Sequence, residues 1–244
     1  MKRCAVLLVF AAAARVCAQP AAGGPAFETA SLRISPARGS GATSFSPYGS
    51  ERFTITNAAP ELLLQIAFGV QPYQIVGEPK WFDSVLYDLT AKAEEGVKLT
   101  ARELQPRLQR LLAERLKLAV HRETAELPGF ALLVAKNGPK LKPSAVGHAD
   151  EGVIYPGGLR LPGATMDWLA SMLVSAAGRP VMNKTGIAGS YDVELEYAKE
   201  GERNSPLPTL FTALQERLGL KLEAETVSVE MLVIDRMERV PAEN

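Results

Sequence analysis

Residues 114–124 read ERLKLAVHRET, and residues 216–226 read ERLGLKLEAET, 102 positions further along the chain. Six of the eleven paired positions hold the same residue: Glu, Arg, Leu, Leu, Glu and Thr. At a nearby offset, YDL at residues 87–89 matches YDV at residues 191–193. A repeat of this length indicates one supersecondary unit used twice. The repeat therefore predicts an architecture, although it identifies no chemistry.

The apolar pattern predicts the same order of elements in each half: strand, helix, strand, strand, helix, strand, strand. We predict an α+β fold, a tandem duplication of this unit with helices packed on small mixed sheets. The predicted repeats cover residues 52–137 and 158–239, joined by a linker over residues 138–157. A leader, strand and loop over residues 19–51 precede them, and a tail over residues 240–244 follows.

Each half is predicted to end in a β-hairpin. In the first half the two strands are residues 116–124 and 130–135, around the turn residues ELPG at 126–129, because Pro and Gly typically mark turns. In the second half the hairpin strands are residues 220–225 and 229–234.

The second helix of the first half carries leucines spaced i, i+4, i+7, i+8 and i+12. Thr100 can cap its start, with Glu103 completing a capping box. Pro106 leaves two possibilities, because the helix either begins near this proline or is kinked there. Leu112 and its counterpart Leu214 each lie two residues before the shared Glu-Arg-Leu, and both are predicted to be buried.

The first residues have the pattern of a secretory signal. Lys2 and Arg3 precede an apolar run over residues 5–14, and small residues precede the expected cleavage site after Ala18. We therefore expect residues 1–18 to be a signal peptide and the mature protein to be secreted or periplasmic.

Cleavage would change the composition of the chain. Both cysteines, Cys4 and Cys17, lie in the signal, although lipidation of Cys17 is a second possibility. The mature chain would keep 24 basic and 27 acidic residues, a net charge of about −3, which argues against a nucleic-acid partner. No second apolar stretch is long enough to span a bilayer, so we expect no stable membrane span in the mature form.

Two groups of residues resemble functional motifs. Residues 178–185, GRPVMNKT, have P-loop spacing, but Asn183 replaces the second glycine and Pro180 removes a backbone donor. A helix C-cap followed by a turn is the interpretation that we favour. His121 and His148 are the only histidines and have no metal-ligand spacing, so we expect no metal and no other cofactor.

Other candidate residues have structural interpretations. Ser84 and Ser190 precede strands, where turn chemistry explains them. The Tyr-Asp pairs occur in both halves and are expected to be packing contacts, because a catalytic residue is seldom needed twice. Trp81 and Phe82 lie in a first-half loop that is longer than its second-half equivalent, so they are either a plug on the core, which we favour, or a partner contact.

Several strings together resemble the "soil-associated protein" family of secreted bacterial proteins, a domain of unknown function. They are FETAS at residues 27–31, YDLTAKA at 87–93, RLKLAVHRET at 115–124, GPKL at 138–141 and NKTG at 183–186. The resemblance covers essentially the whole mature chain, and it supplies no catalytic residue.

Each half is also similar, more distantly, to the short N-terminal domain of secretins and TonB-dependent receptors. The shared pattern is the leucine spacing of residues 108–118, followed by an apolar last strand such as residues 231–234. This resemblance implies protein–protein contact in the cell envelope.

Two functions remain open. We expect an extracytoplasmic, non-catalytic interaction module that binds a protein or peptide partner in the cell envelope, because small sheets offer edge strands that can accept an added strand. Trp81, Phe82 and His121 are the candidate partner contacts. The alternative is an envelope hydrolase that uses His121 with a nearby carboxylate. His121 in a concave pocket beside a carboxylate and a hydroxyl would favour the hydrolase, and an open strand face would favour the module.

Overall fold

A computed structural model describes residues 24–36, 42–46, 48–145, 152–199, 201–202 and 205–242, and within them the predicted α+β class is confirmed. The helices are α1 (Pro60–Phe68), α2 (Ala101–Arg115), α3 (Met166–Ala177) and α4 (Leu210–Ala213), and α4 continues as a π-helical turn over Leu214–Leu218. The strands are β1 (Thr29–Ile34), β2 (Ser44–Phe45), β3 (Arg52–Ala58), β4 (Ile75–Val76), β5 (Tyr87–Lys92), β6 (Ala119–Val134), β7 (Lys142–Pro143), β8 (Val153–Tyr155), β9 (Gly158–Ala164), β10 (Val181–Asn183), β11 (Tyr191–Glu196) and β12 (Leu220–Arg236).

The described residues form two compact units. The N-terminal unit contains residues 24–124 and 230–242, and the central unit contains residues 125–229. Because the divisions fall inside β6 and β12, each of these two long strands contributes residues to both units.

The first sheet lies in the N-terminal unit, with the antiparallel strand order β1-β5-β3-β2. The chain leaves α1 through Gly69 in the left-handed region, at φ 65°. Thr100 caps α2 by accepting a hydrogen bond from the backbone N–H of Glu103, so Pro106 lies inside the helix and not at its start. Leu112 is fully buried, as predicted.

The second sheet lies in the central unit, with the strand order β7-β11-β9-β8. α3 begins after Thr165, whose side chain accepts the N–H of Trp168, and it ends at Gly178 in the left-handed region. α4 is short, and the π-helical turn after it ends at Gly219. Leu214 is fully buried, as predicted, although the segment that carries it is not a regular α-helix.

Both predicted hairpins are wrong, because β6 and β12 are continuous strands of 16 and 17 residues. β6 passes through Pro128 and Gly129 without turning. A Cβ atom on Gly129 would lie 2.5 Å from Cγ2 of Val227 and 2.7 Å from the carbonyl oxygen of Pro180. The glycine therefore permits a close approach of neighbouring segments, which is the other common reason for glycine in a strand.

The third sheet has the strand order β10-β6-β12-β4. In the central unit β10 is parallel to β6, with Val181 opposite Phe130. In the N-terminal unit β4 is parallel to β12, with Ile75 opposite Leu232.

Candidate functional site

A cavity of about 390 Å³ lies along β1 in the N-terminal unit. Residues 31–34 of β1 form one wall, and residues 240–242 of the C-terminal segment form the other. We call this cavity the β1 groove. It follows the outer edge of the first sheet, because β1 has β5 as its only strand neighbour in the described part of the chain.

The backbone of β1 presents hydrogen-bonding groups to the groove. The N–H of Ser35 donates to the carbonyl of Leu86 at 2.8 Å, and the N–H of Ala93 donates to Glu51 on the other side of β5. Along an antiparallel strand, successive residues direct their backbone N–H and C=O groups alternately towards one neighbour and the other, and these two bonds show which residues of β1 and β5 face each other. Odd-numbered residues of β1 therefore face β5, and the N–H and C=O groups of Leu32 and Ile34 face the open edge.

The C-terminal wall of the groove is anchored away from β1. The N–H of Glu238 donates to the carbonyl of Leu116 at 2.6 Å, and the N–H of Ala242 donates to that of Arg115 at 2.8 Å. The hydroxyl of Tyr87 donates to the carbonyl of Arg239 at 2.6 Å. Burial raises the pKa of Tyr87 to about 12, while the nearby charge of Arg239 lowers it, so this hydroxyl is protonated and donates at neutral pH.

The groove lining includes a charged side chain. Of the seven lining residues within the described part of the chain, Arg33 alone is charged, and its side chain is 73% exposed. Its Nε lies 3.6 Å from Oδ2 of Asp88, while Oδ1 of Asp88 accepts the backbone N–H of Asn57 at 3.0 Å. Because the guanidinium group carries five N–H donors, it can bind a further carboxylate from solvent.

His121 lies on β6 in the N-terminal unit, beside carboxylates. Its Nδ1 lies 2.9 Å from Oδ1 of Asp235, and its Nε2 lies 3.9 Å from Oε2 of Glu123. The side chain is 28% exposed. Within the described residues the polar contacts of His121 are with carboxylates and include no hydroxyl, and the β1 groove does not include it.

The aromatic pair has two different environments. Phe82 is 3% exposed and belongs to the core of the N-terminal unit, so it is not accessible to a partner. Trp81 is partly buried and packs against the same core. The two rings lie 6.3 Å apart between centroids. Phe82 therefore acts as a plug, while Trp81 and His121 are the candidate contacts that solvent reaches.

The repeated Tyr-Asp pairs place their carboxylates at matching irregularities in the sheets. Asp88 accepts the N–H of Asn57, and Asp192 accepts the N–H of Gly163 at 3.2 Å. Asn57 and Gly163 both have positive φ angles, 53° and 64°. Hydrogen bonds from Ser144 and from the Gly163 backbone hold the pKa of Asp192 below its usual value. Both aspartates stabilise a β-bulge, which is a structural role.

The segment that resembles a P-loop consists of Gly178 at the end of α3, strand β10 and a turn after this strand. Oδ1 of Asn183 accepts hydrogen bonds from the N–H and the hydroxyl of Thr185, and Nδ2 of Asn183 donates to Asp167. Lys184 forms an ion pair with Glu225 at 2.6 Å. The contacts between Asn183 and Thr185 therefore stabilise the turn, while Asn183 and Lys184 also bind Asp167 and Glu225 outside the segment.

Comparison with known proteins identifies the family of this chain. Residues 61–237 match the family model described as "Protein of unknown function (DUF3738)". The chain belongs to this family. No curated protein and no solved structure matches the chain.

The DUF3738 match covers some candidate residues and not others. Trp81, His121 and Asp235 lie inside the matched segment. Both walls of the β1 groove, residues 31–34 and 240–242, lie outside it. The family description names no activity, so it assigns no role to any of these residues.

Two further findings concern this DUF3738 chain as far as it is described. No helix there is both long enough and apolar enough to cross a bilayer. In the same residues no group of three or more His, Cys, Asp and Glu side chains is arranged to hold a metal ion.

The sequence indicated some of this site and missed the rest. The hydrolase alternative named His121 with a nearby carboxylate, and the carboxylate of Asp235, 114 positions away, lies 2.9 Å from its Nδ1. Arg33 and residues 240–242 were not singled out. A strand was predicted within residues 19–51, but no pattern indicated that it would be an edge strand or which segment would lie beside it.

Proposed function

We propose that this protein is an extracytoplasmic, non-catalytic interaction module that binds an extended protein or peptide segment in the β1 groove. The observation that carries the proposal is the open edge of β1, where the backbone groups of Leu32 and Ile34 face a 390 Å³ cavity. An extended segment can add to such an edge through main-chain hydrogen bonds, and it needs no catalytic group. The partner is an envelope protein or peptide and not nucleic acid.

The location rests on the sequence. The basic and apolar pattern of residues 1–18 supports export to the periplasm or the medium. The resemblance to the secreted "soil-associated protein" family supports the same location. The more distant resemblance to secretin and TonB-dependent receptor domains supports contact with another protein.

We also propose that the chain arose by duplication. The strand orders β1-β5-β3-β2 and β7-β11-β9-β8 correspond strand for strand. Asp88 and Asp192 cap bulges at corresponding places in these two sheets. Both observations support an origin from one unit used twice.

The test uses peptides selected from a random-sequence display library on the purified protein. Their affinity is measured by fluorescence anisotropy for the wild type, Ile34→Pro and Ile34→Ala. Ile34→Pro removes a donor on the open edge and no bond to β5, so it should weaken binding by about tenfold, while Ile34→Ala keeps the N–H and should cost less.

A matched control is available on another edge strand. Ile154 of β8 is also exposed, and Ile154→Pro places a proline in an edge strand of the second sheet. The Ile154→Pro variant should bind the selected peptides as tightly as the wild type. Equal binding by Ile34→Pro and the wild type, or loss with Ile154→Pro alone, would refute the assignment to the β1 groove.

The second candidate is an envelope hydrolase, and the contact between His121 and Asp235 is the observation that favours it. A carboxylate on Nδ1 leaves Nε2 to act as a base towards water. His121→Ala separates the candidates, because the module should bind its peptides unchanged. Loss of binding or of biological activity with His121→Ala, while Ile34→Pro remains active, would favour the hydrolase.

A further inference from the structure

The two faces of β1 differ in chemistry, and this difference bears on which segment the β1 groove accepts. The inference rests on the proposed function. We infer that the groove selects an extended segment in which an acidic residue lies between two apolar residues.

The apolar requirement comes from one face of the strand. Side chains of alternate residues share a face, so Leu32 and Ile34 lie on the same side of β1. Leu32 is buried and Ile34 is 38% exposed. Val240, on the opposite wall, is 67% exposed. An added strand would place two of its own side chains over this face, where apolar residues would cover Ile34 and Val240.

The acidic requirement comes from the other face. Ser31 and Arg33 lie there, and Arg33 is the only charged residue among the described residues that line the groove. Asp88 is mostly buried and accepts the backbone N–H of Asn57 through Oδ1, and its Oδ2 lies 3.6 Å from Nε of Arg33. A residue directly opposite Arg33 in an added strand shares its face and lies within reach of the guanidinium group.

The spacing of the three positions follows from the strand period. The residue opposite Arg33 faces one side, and its two neighbours face Leu32 and Ile34 on the other side. Parallel and antiparallel addition both keep this alternation. A second copy of β1 would fit less well, because it supplies no carboxylate to place opposite Arg33.

The experiment uses three synthetic peptides in which Val alternates with Glu, with Lys or with Gln. Their dissociation constants are measured for the wild type, Arg33→Gln, Arg33→Glu, Val240→Ser and Ile34→Pro. The wild type should bind the Glu peptide about fivefold more tightly than the Lys peptide, as an exposed ion pair and the matching repulsion allow. Arg33→Gln should remove this preference and Arg33→Glu should reverse it, while Val240→Ser should weaken all three peptides alike.

The outcomes separate the inference from the proposal beneath it. Binding that Ile34→Pro weakens, but without the preference for Glu or its reversal, overturns the inference and supports the proposed function. Binding that Ile34→Pro does not weaken, or no binding of any peptide, overturns both. Self-association of the protein that Ile34→Pro abolishes would assign the groove to a second copy and would also overturn the inference.

Discussion

Gly129→Ala should destabilise the central unit, because the glycine lies where three segments approach closely. The added Cβ would lie 2.5 Å from Cγ2 of Val227 and 2.7 Å from the carbonyl oxygen of Pro180. The φ angle of Gly129 is not positive, so alanine can adopt this backbone conformation and the cost of the substitution is steric. Overpacking costs roughly 1–3 kcal/mol and the stiffer unfolded chain returns about 0.4–1 kcal/mol, so we expect a net loss of about 1–2 kcal/mol.

The assay is urea unfolding of Gly129→Ala, Val227→Ala and the double variant. Val227→Ala removes the contacts with the valine methyl groups but not the contact with Pro180, so the two changes should couple favourably by about 0.5 kcal/mol or more. Glu126→Ala, at an exposed position of the same strand, is the control and should change stability by less than about 0.5 kcal/mol. Hydrogen exchange at the N–H of Phe130, which donates to Pro180, reports the local effect. A Gly129→Ala protein as stable as the wild type, or additive changes in the double variant, would refute the reasoning.

Leu112→Ala and Leu214→Ala should each cost about 2–5 kcal/mol in denaturant melts, because both leucines are fully buried, and a change within 0.5 kcal/mol would contradict their assigned positions. Tyr87→Phe should remove part of the alkaline instability. Because the pKa of Tyr87 is raised to about 12 in the folded protein, the neutral hydroxyl contributes stability that is fully present below pH 10 and is lost as pH rises from about 10 to 12. This loss amounts to roughly 2–3 kcal/mol in the free energy of unfolding, and unfolding curves of Tyr87→Phe should not show it. ATP should leave the melting temperature of the wild type and of Lys184→Ala unchanged, since the lysine pairs with Glu225, and ATP-dependent stabilisation lost in the variant would contradict this.

The helices could be predicted from the sequence because their signals are local. The apolar spacing, the capping threonines Thr100 and Thr165 and the terminal Gly178 all act within a few residues. The π-helical turn at Leu214–Leu218 could not be predicted, because its leucine spacing fits an α-helix equally well. Tertiary packing decides between these two forms, and a single segment carries no information about it.

The long strands could not be predicted for a related reason. Pro128 and Gly129 are residue types typical of a turn, yet the lack of a side chain at Gly129 allows the close approach of Val227 and Pro180, which lie far away in sequence. Likewise, nothing near His121 indicated that Asp235 would be its partner. Local patterns indicate which residue types can form a turn or an ion pair, but the role of each residue depends on contacts that only the folded chain makes.

The proposed binding edge follows from a difference between two otherwise similar sheets. β1 and β7 hold the same place in the strand orders β1-β5-β3-β2 and β7-β11-β9-β8. β1 has six residues, whereas β7 has two, of which Pro143 has no N–H to donate. An added strand needs several successive donors and acceptors, so β1 can accept one and β7 cannot. If a duplication produced both sheets, the proposed binding function belongs to the edge on which the two sheets differ, and not to the bulges and buried leucines that they share.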